Sequence, residues 1–216
     1  MTLPFALDQA YCQKRLLLVW GASPYSLEEH EVVNRVVVLG RWLEQPVQAP
    51  SIPLHALPPL SILSVDPSER VEEAFGQAGV PLHVVRSRRD VVACERHTLL
   101  KLAGDLAERC GVILGQVEIF RLRDDADKRY MLDEAARLAG GGAVLLAGCN
   151  PLSEDFRSWW SVLGPFFERA ACFALGDPAV DWPPGITCLE TPFERLAADL
   201  RESLSQAETD ERARAA

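Results

Sequence analysis

One short segment, residues 59–79, contains the sequence signs of a complete strand, turn and helix. Its first part, residues 61–65, is a short and largely apolar run of the kind that forms a buried strand. Asp66 follows as a candidate N-cap, with a proline next and Glu69 three residues later, which predicts the start of a helix. Gly79 lies where a left-handed residue would end that helix. Such strand-to-helix turns carry ligand chemistry in open α/β sheets, because the crevice lies beyond the carboxyl ends of the strands.

Strand and helix patterns alternate along most of the chain. The apolar runs at residues 16–20 and 143–147 are typical of buried parallel strands. A capping-box pattern predicts a helix over residues 26–43, although its valine cluster also suits a strand. The alternation predicts a Rossmann-like α/β fold with a mostly parallel sheet and helices on both faces. We expect a single domain over residues 1–202, followed by a polar C-terminal tail or linker over residues 203–216.

Composition excludes several classes of function. The net charge of −9 argues against binding to nucleic acid or to an anionic membrane. The one basic cluster, residues 86–89, is expected to be a solvated loop. Six cysteines are widely spaced without a C-x-x-C pair, so no metal site is predicted. No apolar stretch is long enough to span a bilayer and no secretion signal is evident, which predicts a cytoplasmic protein.

Four stretches follow one family pattern in order along the chain. Residues 62–66 and then 73–75 are similar to T-T-N-Y-D followed by an E-x-A-F-type helix. Residues 99–105 are similar to L-x-K-L-H-G-D, and residues 111–120 to V-V-L-T-x-x-D-Y. Residues 145–156 are similar to F-L-G-Y-S-L-x-D-x-D-F. These motifs resemble the sirtuin-like superfamily, specifically its divergent bacterial branch associated with defence and signalling proteins.

The resemblance implies an NAD-related ligand but fails at two catalytic positions. In active relatives an asparagine and a histidine handle the nicotinamide ribose and its attacking water or hydroxyl, whereas this chain has Ser64 and Ala103 there. Alanine cannot accept a proton, so general-base help of about 10²- to 10⁴-fold would be absent. The family's G-A-G-x-S phosphate loop is reduced to residues 21–23. The resemblance therefore implies a pseudoenzyme with no catalytic residue.

The expected function is a module for binding a nucleotide or NAD metabolite, or for protein assembly, in bacterial defence or signalling. The expected ligand is NAD or an ADP-ribose-like nucleotide, without a metal. Expected partners are a second copy of the chain, or a fused or separate effector protein, but neither nucleic acid nor a membrane. The candidate cofactor-binding residues are Gly21, Ala22, Ser23, Ser64, Asp66, Gly148 and Asn150.

Other interpretations stay open from the sequence. An NAD or nucleotide hydrolase on the same frame would use Asp66, Asp105 or Glu118 with water, since an oxocarbenium-like state can be stabilised electrostatically. An interaction platform would self-associate through the aromatic helix at residues 153–167, although one of each adjacent aromatic pair should be core. His97 is expected to be a surface histidine. Asp66 also has the plain role of an N-cap, and the glycine turns can be ordinary tight turns.

Overall fold

The computed structural model describes residues 3–21, 57, 60–90, 92, 96–106, 108, 111–113 and 115–215. The helix predicted over residues 26–43 lies outside the described residues, as do the candidate site residues Ala22 and Ser23.

A single parallel sheet of seven strands organises the described chain. The strands are β1 (Leu16–Trp20), β2 (Ser61–Ser64), β3 (Leu82–Val85), β4 (His97–Lys101), β5 (Ala143–Ala147), β6 (Ala171–Leu175) and β7 (Ile186–Leu189). Their order across the sheet is β3-β4-β2-β1-β5-β6-β7, and every neighbouring pair is parallel. The predicted Rossmann-like α/β fold is therefore confirmed.

Helices cover both faces of this sheet, as predicted. They are α1 (Phe5–Cys12), α2 (Arg70–Gln77), α3 (Gln116–Phe120), α4 (Ala126–Ala139), α5 (Glu154–Leu163) and α6 (Phe193–Ala215). Side chains of α1, α2 and α6 pack with Leu18 and Trp20 on one face, whereas those of α4 and α5 pack with Leu17 and Val19 on the other. The period of two along a strand sends alternate residues to opposite faces. Because both faces are covered, every residue of β1 and β5 is buried.

The order of the strands reverses at β1. The chain runs from β1 to β2 and on to one edge of the sheet, then crosses back to place β5 on the other side of β1. Trp20 at the end of β1 is in register with Ser64 on one side and with Ala147 on the other. The carboxyl ends of β2, β1 and β5 are therefore adjacent, at the kind of switch point where open α/β sheets bind ligands.

The start of α2 differs from the sequence prediction. Its N-cap is Glu69, which makes no side-chain capping bond, so the prediction of Asp66 as N-cap was wrong. Asp66 instead accepts a hydrogen bond from the Ser68 backbone N–H at 2.9 Å. This local turn competes with a helix cap for the same carboxylate oxygen, and the helix begins after it. The predicted end is confirmed, because Gly79 has the left-handed φ of +67°.

His97 is buried, which contradicts the prediction of a surface histidine. It opens β4, which lies between β3 and β2 in the sheet. Its ring packs edge-on against Phe75 of α2, with ring centroids 4.9 Å apart. The position in an inner strand under a helix, and not the polarity of the side chain, decides its burial.

The C-terminal helix extends through most of the predicted tail. Residues 203–215 continue α6, and the domain boundary at residue 202 stays a prediction. Within the described ranges, no helix combines the length and the apolar content that crossing a membrane requires.

Candidate functional site

The first candidate site is the switch crevice, which we define as Gly21, residues 64–66 and residues 148–150. Gly21 donates its backbone N–H to the Ala147 carbonyl at 3.3 Å. A Cβ atom on Gly21 would lie 2.6 Å from Cγ2 of Val65 and 3.4 Å from Sγ of Cys149. The turn after β1 is therefore held between the turns after β2 and β5. Of the candidate residues in the described ranges, Gly21, Ser64, Asp66 and Gly148 are brought together at one edge of the sheet.

Polar groups after β2 bond mainly within their own turn. The Ser64 hydroxyl donates to the Asp66 carbonyl at 2.9 Å and accepts from the Asp66 N–H at 3.1 Å. Asp66 is buried, and its Oδ1 accepts from Ser68. Its Oδ2 lies 4.0 Å from Nη1 of Arg70 and has no hydrogen-bond partner in the described part of the chain. Because a buried acceptor without a partner is costly, Asp66 Oδ2 is a candidate atom to accept a hydrogen bond from a ligand.

Ala103 lies beside Ser64, at the end of the neighbouring strand β4. Its backbone N–H donates to the Ser64 carbonyl at 3.4 Å, and its carbonyl accepts from Ile113 at 2.9 Å. The two positions at which the sirtuin-like resemblance implies asparagine and histidine are therefore adjacent in space. A methyl group cannot move a proton, and the Ser64 hydroxyl is already engaged with Asp66.

The turn after β5 requires glycine and contributes little reactive chemistry. Gly148 has a φ of +67°, and a Cβ there would lie 2.9 Å from the Trp20 ring. Burial raises the pKa of the Cys149 thiol to about 12, so the thiol stays protonated at neutral pH. Asn150 is exposed, and its Oδ1 accepts from the Leu152 N–H at 3.1 Å.

A second region, which we name the charged pocket, lies beyond the carboxyl ends of β3 and β4. It is a cavity of about 520 Å³. Its cationic lining residues are Arg86, Lys101 and Lys128, and its carboxylates are Asp90, Asp105, Glu108, Asp125 and Asp127. Two glycines, Gly104 and Gly111, complete much of the wall.

An ion pair across two loops holds one side of this pocket. Arg86 Nε donates to Asp105 Oδ2 at 2.7 Å and lies 3.3 Å from Glu108 Oε1. Burial alone would raise the pKa of Asp105, but the Arg86 hydrogen bond and the Lys101 charge hold it below its ordinary value. Asp105 is therefore a carboxylate at neutral pH, which makes it a poor source of protons.

Lys101 connects the pocket to the switch crevice. It is the last residue of β4, and its buried Nζ donates to the Ser68 carbonyl at 2.6 Å. The same Nζ lies 2.9 Å from Oε1 of Glu72. Burial raises the pKa of Glu72, although the Lys101 charge opposes that rise. Through these contacts, the floor of the pocket supports the turn that carries Asp66.

Sequence interpretation missed the charged pocket. It assigned residues 86–89 to a solvated loop, which suits the exposed Arg88 but not Arg86, whose partner Asp105 is 19 residues away. Neither the run of arginines nor the acidic residues indicate this pairing, because the strand order decides which loops meet. Asp66 and Glu118 do not line the same cavity as Asp105, so the three proposed hydrolytic carboxylates are not gathered at one pocket.

The aromatic helix uses its large side chains mostly for internal packing. Trp159 and Phe167 are buried, which confirms that one of each adjacent aromatic pair is core. Trp160 stacks on Phe156 at 6.2 Å between ring centroids. Arg123 covers the ring of Phe166, 4.9 Å from its centroid. Little of this set is left to form an interface.

Comparison of the sequence with models of protein families and with curated proteins yields no match. The sirtuin-like assignment therefore depends on the motifs and stays a proposal. In the described ranges, no group of three or more His, Cys, Asp or Glu side chains is placed to hold a metal ion.

Proposed function

We propose that this protein is a catalytically degenerate sirtuin-like domain that binds a nucleotide or NAD metabolite, such as ADP-ribose, in the switch crevice. A cytoplasmic role in bacterial defence or signalling, alone or with an effector protein, is part of the same proposal. One observation carries it: Gly21 lies between Val65 and Cys149 at the point where the strand order reverses. Open α/β folds place their nucleotides at this point.

The charges around the crevice favour contacts with ribose over contacts with phosphate. Helix α5 begins with Glu154 and Asp155, and α2 carries Glu72 and Glu73 in its first turn. These carboxylates oppose the attraction of a helix N-terminus for anions. Asp66 Oδ2, by contrast, can accept a hydrogen bond from a sugar hydroxyl. We therefore expect the nucleoside part of the ligand to supply most of the affinity.

The same geometry supports binding without turnover. The Ala103 side chain and the engaged Ser64 hydroxyl cannot activate a water or a ribose hydroxyl at the ends of β2 and β4, and the Cys149 thiol is protonated. Release of nicotinamide from NAD is therefore expected to stay at the level of a protein-free control.

Calorimetry and thermal shift with NAD, ADP-ribose and adenosine test the proposal. We expect ADP-ribose and adenosine to bind with similar affinity, and Asp66→Asn to weaken both by about tenfold, the scale of one hydrogen bond to a charged group. Asp177→Asn is the matched control, because Asp177 also accepts from a backbone N–H two residues on, at 2.8 Å, but is exposed. Absence of heat and of a thermal shift at millimolar ligand would contradict the proposal.

The competing proposal is an NAD or nucleotide hydrolase. One observation favours it, namely that Asp105 is held as a carboxylate beside a cavity. A nicotinamide-release assay separates the two proposals. Turnover by the wild type that is lost in Asp105→Asn or Asp66→Ala would establish the hydrolase and reject the pseudoenzyme.

A further inference from the structure

The charged pocket has a buried floor and an open rim. The floor residues Lys101, Asp105 and Lys128 are at most 4% exposed. At the rim, the side chains of Arg86, Asp127 and Glu108 are 30%, 44% and 56% exposed. The cavity volume of about 520 Å³ lies in the range of roughly 300–1,000 Å³ that small-molecule sites occupy. A ligand from solution can therefore enter through the exposed rim and reach the charged groups at the buried floor.

Arg86 retains hydrogen-bonding capacity toward the cavity. Its Nε is directed at Asp105, and its backbone N–H at Asp90. Among the described residues, Arg86 forms its hydrogen bonds with its Nε and its backbone N–H. Its two terminal guanidinium nitrogens therefore stay available as donors for a ligand. A guanidinium whose Nε is fixed by a buried carboxylate is well oriented to bind an anionic group.

Lys128 supplies a second cation at the wall. Its Nζ donates to the Lys101 carbonyl at 3.4 Å. A Cβ on Gly111 would lie 3.2 Å from this Nζ, so the absence of a side chain at Gly111 leaves room for the ammonium at the pocket wall.

Carboxylates face these cations from the β3–β4 loop and from the start of α4. Asp90 uses Oδ2 to accept from the backbone N–H groups of Arg86 and Ser87. Asp125 uses Oδ1 to accept from the backbone N–H groups of Asp127 and Lys128. Each has a second oxygen that can accept from a ligand.

The balance of charge selects the class of ligand. Among the described lining residues, five are carboxylates and three are cations, an excess of two negative charges that disfavours a bare anion. A bare cation is disfavoured as well, because Arg86 and Lys128 would repel it. The described lining has no aromatic side chain on which a sugar could stack. A molecule that carries both charges satisfies both sets of groups.

We propose that the charged pocket binds a small zwitterion of the amino-acid type. Its carboxylate pairs with Arg86 and Lys128, and its ammonium with Asp125 and Asp127. This site is separate from the switch crevice, so the present proposal does not rest on the proposed nucleotide-binding function.

Titration of the full chain with the common protein amino acids, followed by calorimetry and amide NMR shifts, tests the proposal. Acetate and ethanolamine serve as probes that carry only one of the two charges. We expect at least one amino acid to bind with a millimolar or lower Kd, and both single-charge probes to bind at least about tenfold more weakly. The amide resonances that shift on binding should belong to pocket residues. The Asp66→Asn variant should show the same ligand-induced shifts as wild type.

Two variants give opposite signatures that a purely structural role would not produce. Lys128→Met should weaken the binding of the amino acid by about tenfold. It should strengthen the binding of ethanolamine, since a cation that repels the ethanolamine ammonium is lost. Asp127→Asn should weaken the binding of the amino acid and strengthen the binding of acetate. In wild type, Asp127 Oδ1 accepts from the Arg88 N–H at 3.0 Å, and the amide oxygen of asparagine can still accept this bond. If Lys128→Met does not fold, the rim variant Asp127→Asn carries the test alone.

Three results would overturn the proposal. The first is the absence of binding by every amino acid at about 10 mM, well above the Kd expected here. The second is binding of acetate or ethanolamine as tight as that of the amino acid. The third is an amino-acid affinity that Asp127→Asn leaves unchanged.

Discussion

The switch crevice and the charged pocket lie at the same edge of one sheet, yet their polar groups are used in opposite ways. In the crevice, Ser64 and Asp66 bond to each other and to Ser68, within the same turn. In the pocket, Arg86 bonds to Asp105, 19 residues away in sequence. Short-range bonds close the crevice turn and leave Asp66 Oδ2 as its unsatisfied acceptor, whereas the long-range Arg86–Asp105 pair joins two loops beside an open space. A site next to the switch point is therefore not the more polar one merely because of its position.

The largest expected effect concerns the residue that joins the two regions. Lys101→Met should lower the free energy of unfolding by about 3–5 kcal/mol, because it leaves Glu72 as an uncompensated carboxylate and removes the donor to the Ser68 carbonyl. Urea denaturation measures this loss. Adding Glu72→Gln should recover a large part of it, since the two residues are coupled. A loss no greater than that of Arg137→Met, which breaks an exposed pair with Glu134, would contradict the proposed link.

The next effect compares a glycine from each region. A Cβ on Gly104 would collide with the Gly111 carbonyl, at a φ of +90°, whereas the three heavy atoms nearest to a Cβ on Gly148 all belong to the Trp20 ring. Both substitutions to alanine are strained, because both glycines have a positive φ. The Gly111 backbone, however, cannot move aside as the Trp20 ring can. Gly104→Ala should therefore cost about 2–4 kcal/mol and exceed Gly148→Ala by about 1 kcal/mol.

Thermal and urea unfolding provide the measurement for the glycine pair. Gly76→Ala is the control, because a Cβ there meets nothing within 4 Å, and it should stabilise α2 by about 0.5–1 kcal/mol. Equal losses at Gly104 and Gly148 would show that the pocket wall is as adaptable as the crevice.

A smaller effect is the pH dependence that the pocket contributes. The pKa of Asp105 lies below its ordinary value of 3.8, since Arg86 and Lys101 outweigh the effect of burial. A lowered folded-state pKa contributes stability that is present above the unfolded-state pKa and lost as the pH falls through the folded-state value. We expect Asp105→Asn to lose less stability than wild type between about pH 5 and about pH 2.

Urea denaturation at a series of pH values measures this difference. The pKa of Asp90 is also lowered, chiefly by the Arg86 backbone N–H, so Asp105→Asn should retain part of the acid sensitivity. Identical pH profiles for Asp105→Asn and wild type would mean that the Arg86 pair contributes nothing at the pocket.

The smallest expected effect on stability is at the exposed end of the crevice. Asn150→Ala removes only the acceptor for the Leu152 N–H, so the free energy of unfolding should change by about 0.5 kcal/mol or less. ADP-ribose affinity, measured by calorimetry, should nevertheless fall several-fold if Asn150 contacts the ligand. An unchanged affinity would remove Asn150 from the crevice and leave Asp66 as its polar centre.

Much of the fold follows from local patterns that the structure confirms. The runs at residues 16–20 and 143–147 form buried strands, since a continuous apolar run suits a strand covered on both faces. Ser153 caps α5 by accepting from the Phe156 N–H at 3.1 Å, as its position before the helix predicts. The start of α2 was predicted wrongly, because Asp66 has two local uses for its carboxylate and the sequence does not rank them.

The candidate site was only partly accessible from the sequence. Seven residues were predicted as one group, and of these Gly21, Ser64, Asp66 and Gly148 lie together, because each ends or follows a strand and parallel strands end at the same edge. His97 was misplaced, since its burial depends on which strand becomes an inner one. The charged pocket was missed for the same reason: Arg86, Asp105 and Lys128 belong to separate segments.

The amino-acid order by itself determined the alternation of strands and helices, the parallel sheet, and the presence of serine at position 64 and alanine at position 103. These properties depend on periodicity and on side-chain chemistry, which act within a few residues. Only the tertiary structure decided that β4 lies between β3 and β2, and hence that Lys101 joins Glu72 to the floor of a charged cavity. Contacts between distant segments are set by the packing of the whole sheet, because burying its two faces has a far larger free energy than any one ion pair.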